Sequence, residues 1–106
     1  MQQDRILSML GLAVKAGKVT SGEFSTEKAV KSGTAFLVLV SEEASDNTRK
    51  MFRNMCSFYQ VPMYIYASKE ALGHAIGKQF RASVAVLDEG FAKCLDKKLK
   101  LLEKTE

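Results

Sequence analysis

Between Lys15 and Lys31, the lysines Lys15, Lys18, Lys28 and Lys31 outnumber the glutamates Glu23 and Glu27 and surround Gly22, which opens an amphipathic segment. A helix start offers unpaired backbone N–H groups and a partial positive charge, and a glycine there lets a phosphate or a sharply bent backbone come close. The chemistry this combination favours is capture of a polyanion. A solvated helix capped by a glycine accounts for the same residues, and spacing alone does not separate the two. A second candidate surface is the run Lys78-Gln79-Phe80-Arg81-Ala82. There Phe80 can stack on an extruded base and Arg81 can bind a phosphate or a base edge. Equally, Phe80 can plug the underside of a sheet.

Other chemistries fail on detail. Gly11 followed by Gly17-Lys18 has the wrong spacing for a phosphate-binding loop, Val19 replaces the hydroxyl residue that would ligate magnesium, and the segment is helical where a loop after a strand is required. His74 is the single histidine, and no serine, cysteine or carboxylate can be set beside it from the sequence. Cys56 and Cys94 have no second ligand at metal-binding spacing and sit at apolar positions of helices, which fits buried free thiols. Asp88-Glu89 reads as a helix cap; of Glu42-Glu43, one is expected exposed and the other orienting a neighbouring loop. Gly73-x-x-x-Gly77 reads as a helix packed closely on a strand. Neither catalysis, a metal nor a cofactor is expected.

The elements that must hold these residues follow from periodicity. Apolar residues at helical spacing from Asp4 to Lys15 predict a first helix ended by Gly17, and Val19–Ser21 reads as extended. A helix runs from Gly22 to Gly33 with Ala29 and Val30 inward, and Ala35–Val40 is an unalternating apolar strand covered on both faces. Ser45 or Asp46 caps a helix whose apolar face is Met51, Phe52, Met55 and Phe58. Pro62–Tyr66 is a strand, Ser68 caps a short helix with Leu72 and Ile76 inside, and Ser83–Leu87 is a further strand. Asp88 caps a last helix with Phe91, Leu95, Leu99 and Leu102 along one stripe. The lysines of that helix alternate with Asp96, Glu103 and Glu106, as on a solvated face.

Alternation of helix and strand with short connections predicts a three-layer α-β-α sandwich around a mixed sheet of four strands. The 106 residues, 46% hydrophobic with one proline, fit a single domain over 1–106, and the net charge of +4 leans towards a polyanionic partner. The longest apolar run, Ala35–Val40, is six residues, against roughly 20 for a membrane span. No small-residue cleavage motif follows Ile6–Val14, so a secretory signal is not expected. The expectation is a cytoplasmic monomer without a membrane partner.

A family resemblance covers most of the chain. Gly11-Leu12-Ala13-x-Lys15-Ala16-Gly17-Lys18-Val19-x-x-Gly22, Lys28, Gly33, the Ala35–Val40 run with Ser41-Glu42-Glu43-Ala44, Val61-Pro62, Leu72-Gly73-x-x-Ile76-Gly77 and Val84-Ala85-Val86 occur in an order that resembles the ribosomal-protein superfamily binding kink-turn RNA. Within it the chain is most similar to the small bacterial YlxQ-type proteins. The resemblance implies an α-β-α sandwich without catalysis that binds a sharply bent RNA, in which an internal loop joins two helices, with association to the ribosome among the expected partners. It gives Gly22 the close backbone approach and Lys28 a phosphate or base-edge contact. Phe24 and Ser25 fall where the family carries polar readers of guanine, so Glu23 reaching that edge and Phe24 stacking are the substitutes available. The family's second RNA-facing loop falls at Phe80-Arg81-Ala82. Phe24 at a helix start also suits a protein-interaction module that kept the fold and lost RNA readout.

Overall fold

The computed structural model describes residues 4–104; Glu106 of the mixed-charge tail lies outside them. Nine elements alternate: α1 (Arg5–Lys15), β1 (Val19–Ser21), α2 (Glu23–Lys31), β2 (Leu37–Val40), α3 (Asp46–Tyr59), β3 (Met63–Ile65), α4 (Lys69–Ala75), β4 (Ser83–Val86) and α5 (Glu89–Lys104). Local chemistry sets the boundaries. The side chains of Asp4, Ser45 and Ser68 accept hydrogen bonds from the first turns of α1, α3 and α4, and Asp88 does so for α5. Gly17, Gly33 and Gly77, all left-handed, follow the ends of α1, α2 and α4.

The sheet order is β1-β4-β2-β3. β4 runs antiparallel to both β1 and β2, with Ser21 opposite Val84 and Val40 opposite Ser83, while β2 and β3 are parallel. The two central strands are fully buried, so their residues alternate between two cores. Leu37, Leu39, Val84 and Val86 pack on Ile6 and Leu10 of α1, Leu72 of α4, and Leu95 and Leu99 of α5. Val38, Val40 and Ala85 pack on Ala29 and Val30 of α2 and Phe52 and Cys56 of α3. The result is the expected three-layer sandwich with a mixed four-stranded sheet. Burial pushes the Cys56 thiol up to about 11, and both cysteines are free, with Cys94 half-buried.

Several expectations are corrected. The central strand is Leu37–Val40, because Ala35 still belongs to the turn after α2 and Phe36 stands 41% exposed at the sheet end. Of the expected apolar face of α3, Phe52 is buried beside Cys56 and Met51 and Met55 pack against the same core, but Phe58 is 78% exposed and packs edge-on against Tyr59, with ring centroids 4.9 Å apart. The α5 stripe ends at Leu99, and Leu102 is exposed. Gly73 faces backbone in a loop, not a strand: a Cβ there would lie 2.4 Å from the Gln79 carbonyl oxygen. Both members of the acidic pair are exposed, and both orient the loop before α4. Glu42 accepts from the Ala67 N–H at 3.2 Å and Glu43 from the Lys69 N–H at 2.9 Å.

Candidate nucleic-acid interface

The centre of the site is the junction of β1 and α2. Gly22 has φ 93° and ψ 155°, a conformation essentially confined to glycine. Its N–H donates to the Ser83 carbonyl at 3.0 Å, which ties the junction to the start of β4, and its carbonyl accepts from the Thr26 N–H at 2.9 Å. No side chain caps α2, so the N–H groups of Glu23, Phe24 and Ser25 point out of the helix start without a capping acceptor. Glu23 and Phe24 are exposed, Phe24 by 78%, and Ser25 is half-buried.

The second candidate segment meets the first. Because β1 pairs with β4, the chain entering β4 passes beside the residue that precedes Gly22. Arg81 Nε donates to Ser21 Oγ at 3.0 Å and Arg81 Nη1 to the Phe80 carbonyl at 2.7 Å, which fixes the guanidinium next to the helix start. Phe80 is 60% exposed, so it is not a plug under the sheet. Ala82 is half-buried against the α2/α3 core, and its carbonyl accepts from the Ser41 N–H at 2.8 Å.

The lysines divide. Lys28 is exposed one turn after Phe24, and the two line a surface groove of ≈ 390 Å³ with Glu27, Lys31 and Ser32. Lys31 is engaged by Glu27 at 2.7 Å, and that hydrogen bond with the accompanying charge raises the pKa of its ammonium. Lys18 stands elsewhere: its carbonyl accepts from the Leu87 N–H at 2.8 Å, past the far end of β1. At about 3.3 Å per strand residue, its Cα is roughly 13 Å from Gly22. The structure therefore gathers Gly22, Glu23, Phe24, Ser25, Lys28, Phe80, Arg81 and Ala82 at one end of the sheet and leaves Lys18 at the other. Ser21, the acceptor for Arg81, is the residue the sequence reading did not single out. Its signal is only that it precedes Gly22 on a strand whose partner is not written locally.

The arrangement offers a helix start, two cationic side chains with no ion pair among the described residues, Arg81 being held by Ser21 and the Phe80 carbonyl, and two exposed rings. Among the described residues no group of histidine, cysteine and carboxylate side chains could hold a metal ion, and no helix is long and apolar enough to cross a membrane.

Comparisons with known proteins bear on the fold and the family. The chain is 46% identical over 84 residues, 79% of its length and 84% of the relative's, to the RNA-binding protein YlxQ of Bacillus subtilis. It is 38% identical over 90 residues, 83% of its length and 86% of the relative's, to the large ribosomal subunit protein eL30 of Tetrahymena thermophila. Among solved structures, a protein of unknown function from Bacillus halodurans C superposes with a TM-score of 0.90 at 36% identity, covering 92% of this chain and 99% of the other. The Giardia lamblia 15.5kD RNA binding protein shares the fold, with a TM-score of 0.79 at 19% identity over 96% of this chain and 93% of its own. Residues 4–96 match the ribosomal protein L7Ae/L30e/S12e/Gadd45 family, and the chain belongs to that family.

Proposed function

We propose that this chain is a non-enzymatic RNA-binding protein of the cytoplasm that acts as a monomer, recognises bent or internally looped RNA of the kink-turn kind, and associates with ribosomal RNA. The observation that carries the reading is the 3.0 Å contact of Arg81 with Ser21, which brings the Phe80-Arg81 segment beside the uncapped start of α2. In this reading the bend of the RNA seats on the N–H groups after Gly22, where no side chain intervenes. Lys28 and Arg81 neutralise phosphates, Glu23 and Ser25 contact base edges, and Phe24 and Phe80 stack on unpaired bases. Lys18, at the other end of β1, meets only a phosphate farther along a stem. RNA-binding relatives and membership of the family support the assignment.

Titration of a kink-turn RNA against a straight duplex of the same composition, at low salt, tests it. The bent RNA is expected to bind more tightly, and Lys28→Ala and Arg81→Ala each to weaken it by about threefold to tenfold, the scale of one hydrogen bond at a solvated surface. Equal affinity for the two RNAs together with unchanged variants would refute the reading. The second reading, a protein-interaction module, is favoured by the 78% exposure of Phe24. Its signature is a partner retained after nuclease treatment and lost with Phe24→Ala.

A further inference from the structure

The reading above leaves the acidic pair after β2 without a task, yet its hydrogen bonds lead to the proposed RNA clamp. Ser41, fully buried, donates through Oγ to the Ala67 carbonyl at 2.9 Å and accepts from the Glu43 N–H at 3.0 Å. Glu42 grips both sides of Ala67: its N–H donates to the Ala67 carbonyl at 2.9 Å, and its Oε2 accepts from the Ala67 N–H at 3.2 Å. Ala67 has φ 70°, a left-handed state that a non-glycine residue adopts only where its surroundings enforce it. Two residues on, Glu43 Oε1 accepts from the Lys69 N–H at 2.9 Å.

Lys69 passes the constraint forward. Its carbonyl accepts from the Arg81 N–H at 3.1 Å, and the Arg81 guanidinium reaches Ser21 at 3.0 Å. α4 holds the same segment a second time through Gly73, whose carbonyl accepts from the Lys78 N–H at 2.8 Å and whose missing Cβ makes room for the backbone of Gln79 and Phe80. An uninterrupted series of hydrogen bonds thus runs from the Glu43 carboxylate through the backbone of Lys69 to Arg81. We infer that Glu43 is a positioning residue for RNA binding: without touching RNA, it fixes the start of α4 over the strained Ala67 turn and so sets where Phe80 and Arg81 stand. The inference rests on the RNA-binding reading.

The test is a double-mutant cycle on affinity for the kink-turn RNA. Glu43→Ala is expected to weaken binding by roughly tenfold, the scale of one lost hydrogen bond to a charged acceptor. Glu43→Gln, which keeps an acceptor oxygen for the Lys69 N–H, is expected to bind within about twofold of the parent, since the amide reproduces the geometry. In an Arg81→Ala background, Glu43→Ala should have a clearly smaller further effect, the part that acts through Phe80, because coupled residues are not additive. Parent-like binding by Glu43→Ala, or losses that simply multiply, overturns the inference; a residue supporting the fold in general would multiply. If Glu43→Ala does not fold, Glu43→Asp, one methylene too short to reach Lys69, takes its place. A parent chain that binds no kink-turn RNA overturns the RNA reading instead. The geometric half is then decided on the free protein: amide hydrogen exchange at Arg81 should be faster in Glu43→Ala and unchanged in Glu43→Gln, and equal protection in both overturns it.

Discussion

Phe24 concentrates the difference between the two functional readings in one side chain. It follows Glu23 at the start of α2, is 78% exposed, and shares the groove with Lys28 and Lys31. So exposed a ring contributes little to the core, and its replacement should change stability by no more than about 0.5 kcal/mol. Stacking of a base on an aromatic ring is worth about 1–3 kcal/mol. Phe24→Ala is therefore expected to weaken RNA binding by about fivefold or more with an unchanged melting temperature. Calorimetric titration beside a thermal melt checks both. An unchanged affinity would remove Phe24 from the RNA surface and leave it to a protein partner. The neighbouring Gly22 was legible as a residue type, since a glycine before an uncapped helix implies an unusual φ; the value of 93° supplies the reason.

At the scale of elements, legibility follows how local the determining interaction is. The caps at Ser45, Ser68 and Asp88 were readable because each acts within three residues of itself. The last turn of α3 was not. Met51, Phe52 and Met55 all pack on the core beside Cys56 as their spacing predicts, but whether Phe58 follows them inward depends on where the helix docks on β2 and β3. Docking left Phe58 outside. Phe52→Ala is accordingly expected to cost about 3–5 kcal/mol through the cavity it leaves, whereas Phe58→Ala should cost well under 1 kcal/mol as a surface change. Urea denaturation of the two variants separates them, and similar midpoints would mean that Phe58 is packed as firmly as Phe52. The same distinction explains Ser21. Its contact with Arg81 spans 60 positions and exists only because β1 pairs with β4, a choice no local pattern encodes.

For the whole molecule, the question is whether binding draws on the total charge of +4 or on a few placed cations. α5 carries many of the lysines, but it packs with α1 and α4 on the face of the sheet opposite α2. Part of its charge is matched locally: Lys93 lies 3.6 Å from Glu89 and Lys100 lies 3.0 Å from Asp96. Partial burial works against the Asp96 carboxylate, but hydrogen bonds from Tyr64 and Lys100 outweigh it and hold the group below its ordinary range. Lys28 and Arg81, by contrast, make no ion pair among the described residues and flank the α2 start. Each phosphate contact adds about 0.7–0.9 to the steepness with which log K falls against log salt, so Lys28 and Arg81 with Lys18 on the stem predict a slope of about −2 to −3. Lys28→Ala should flatten that slope by about 1, and Lys97→Ala, on α5, should leave it unchanged. Fluorescence anisotropy over a salt series measures all three proteins. If Lys97→Ala flattens the slope as much as Lys28→Ala does, the attraction is diffuse, and the helix start is one cation-rich surface among several. If only Lys28→Ala does so, the charge that matters is the one the β1–α2 junction holds in place.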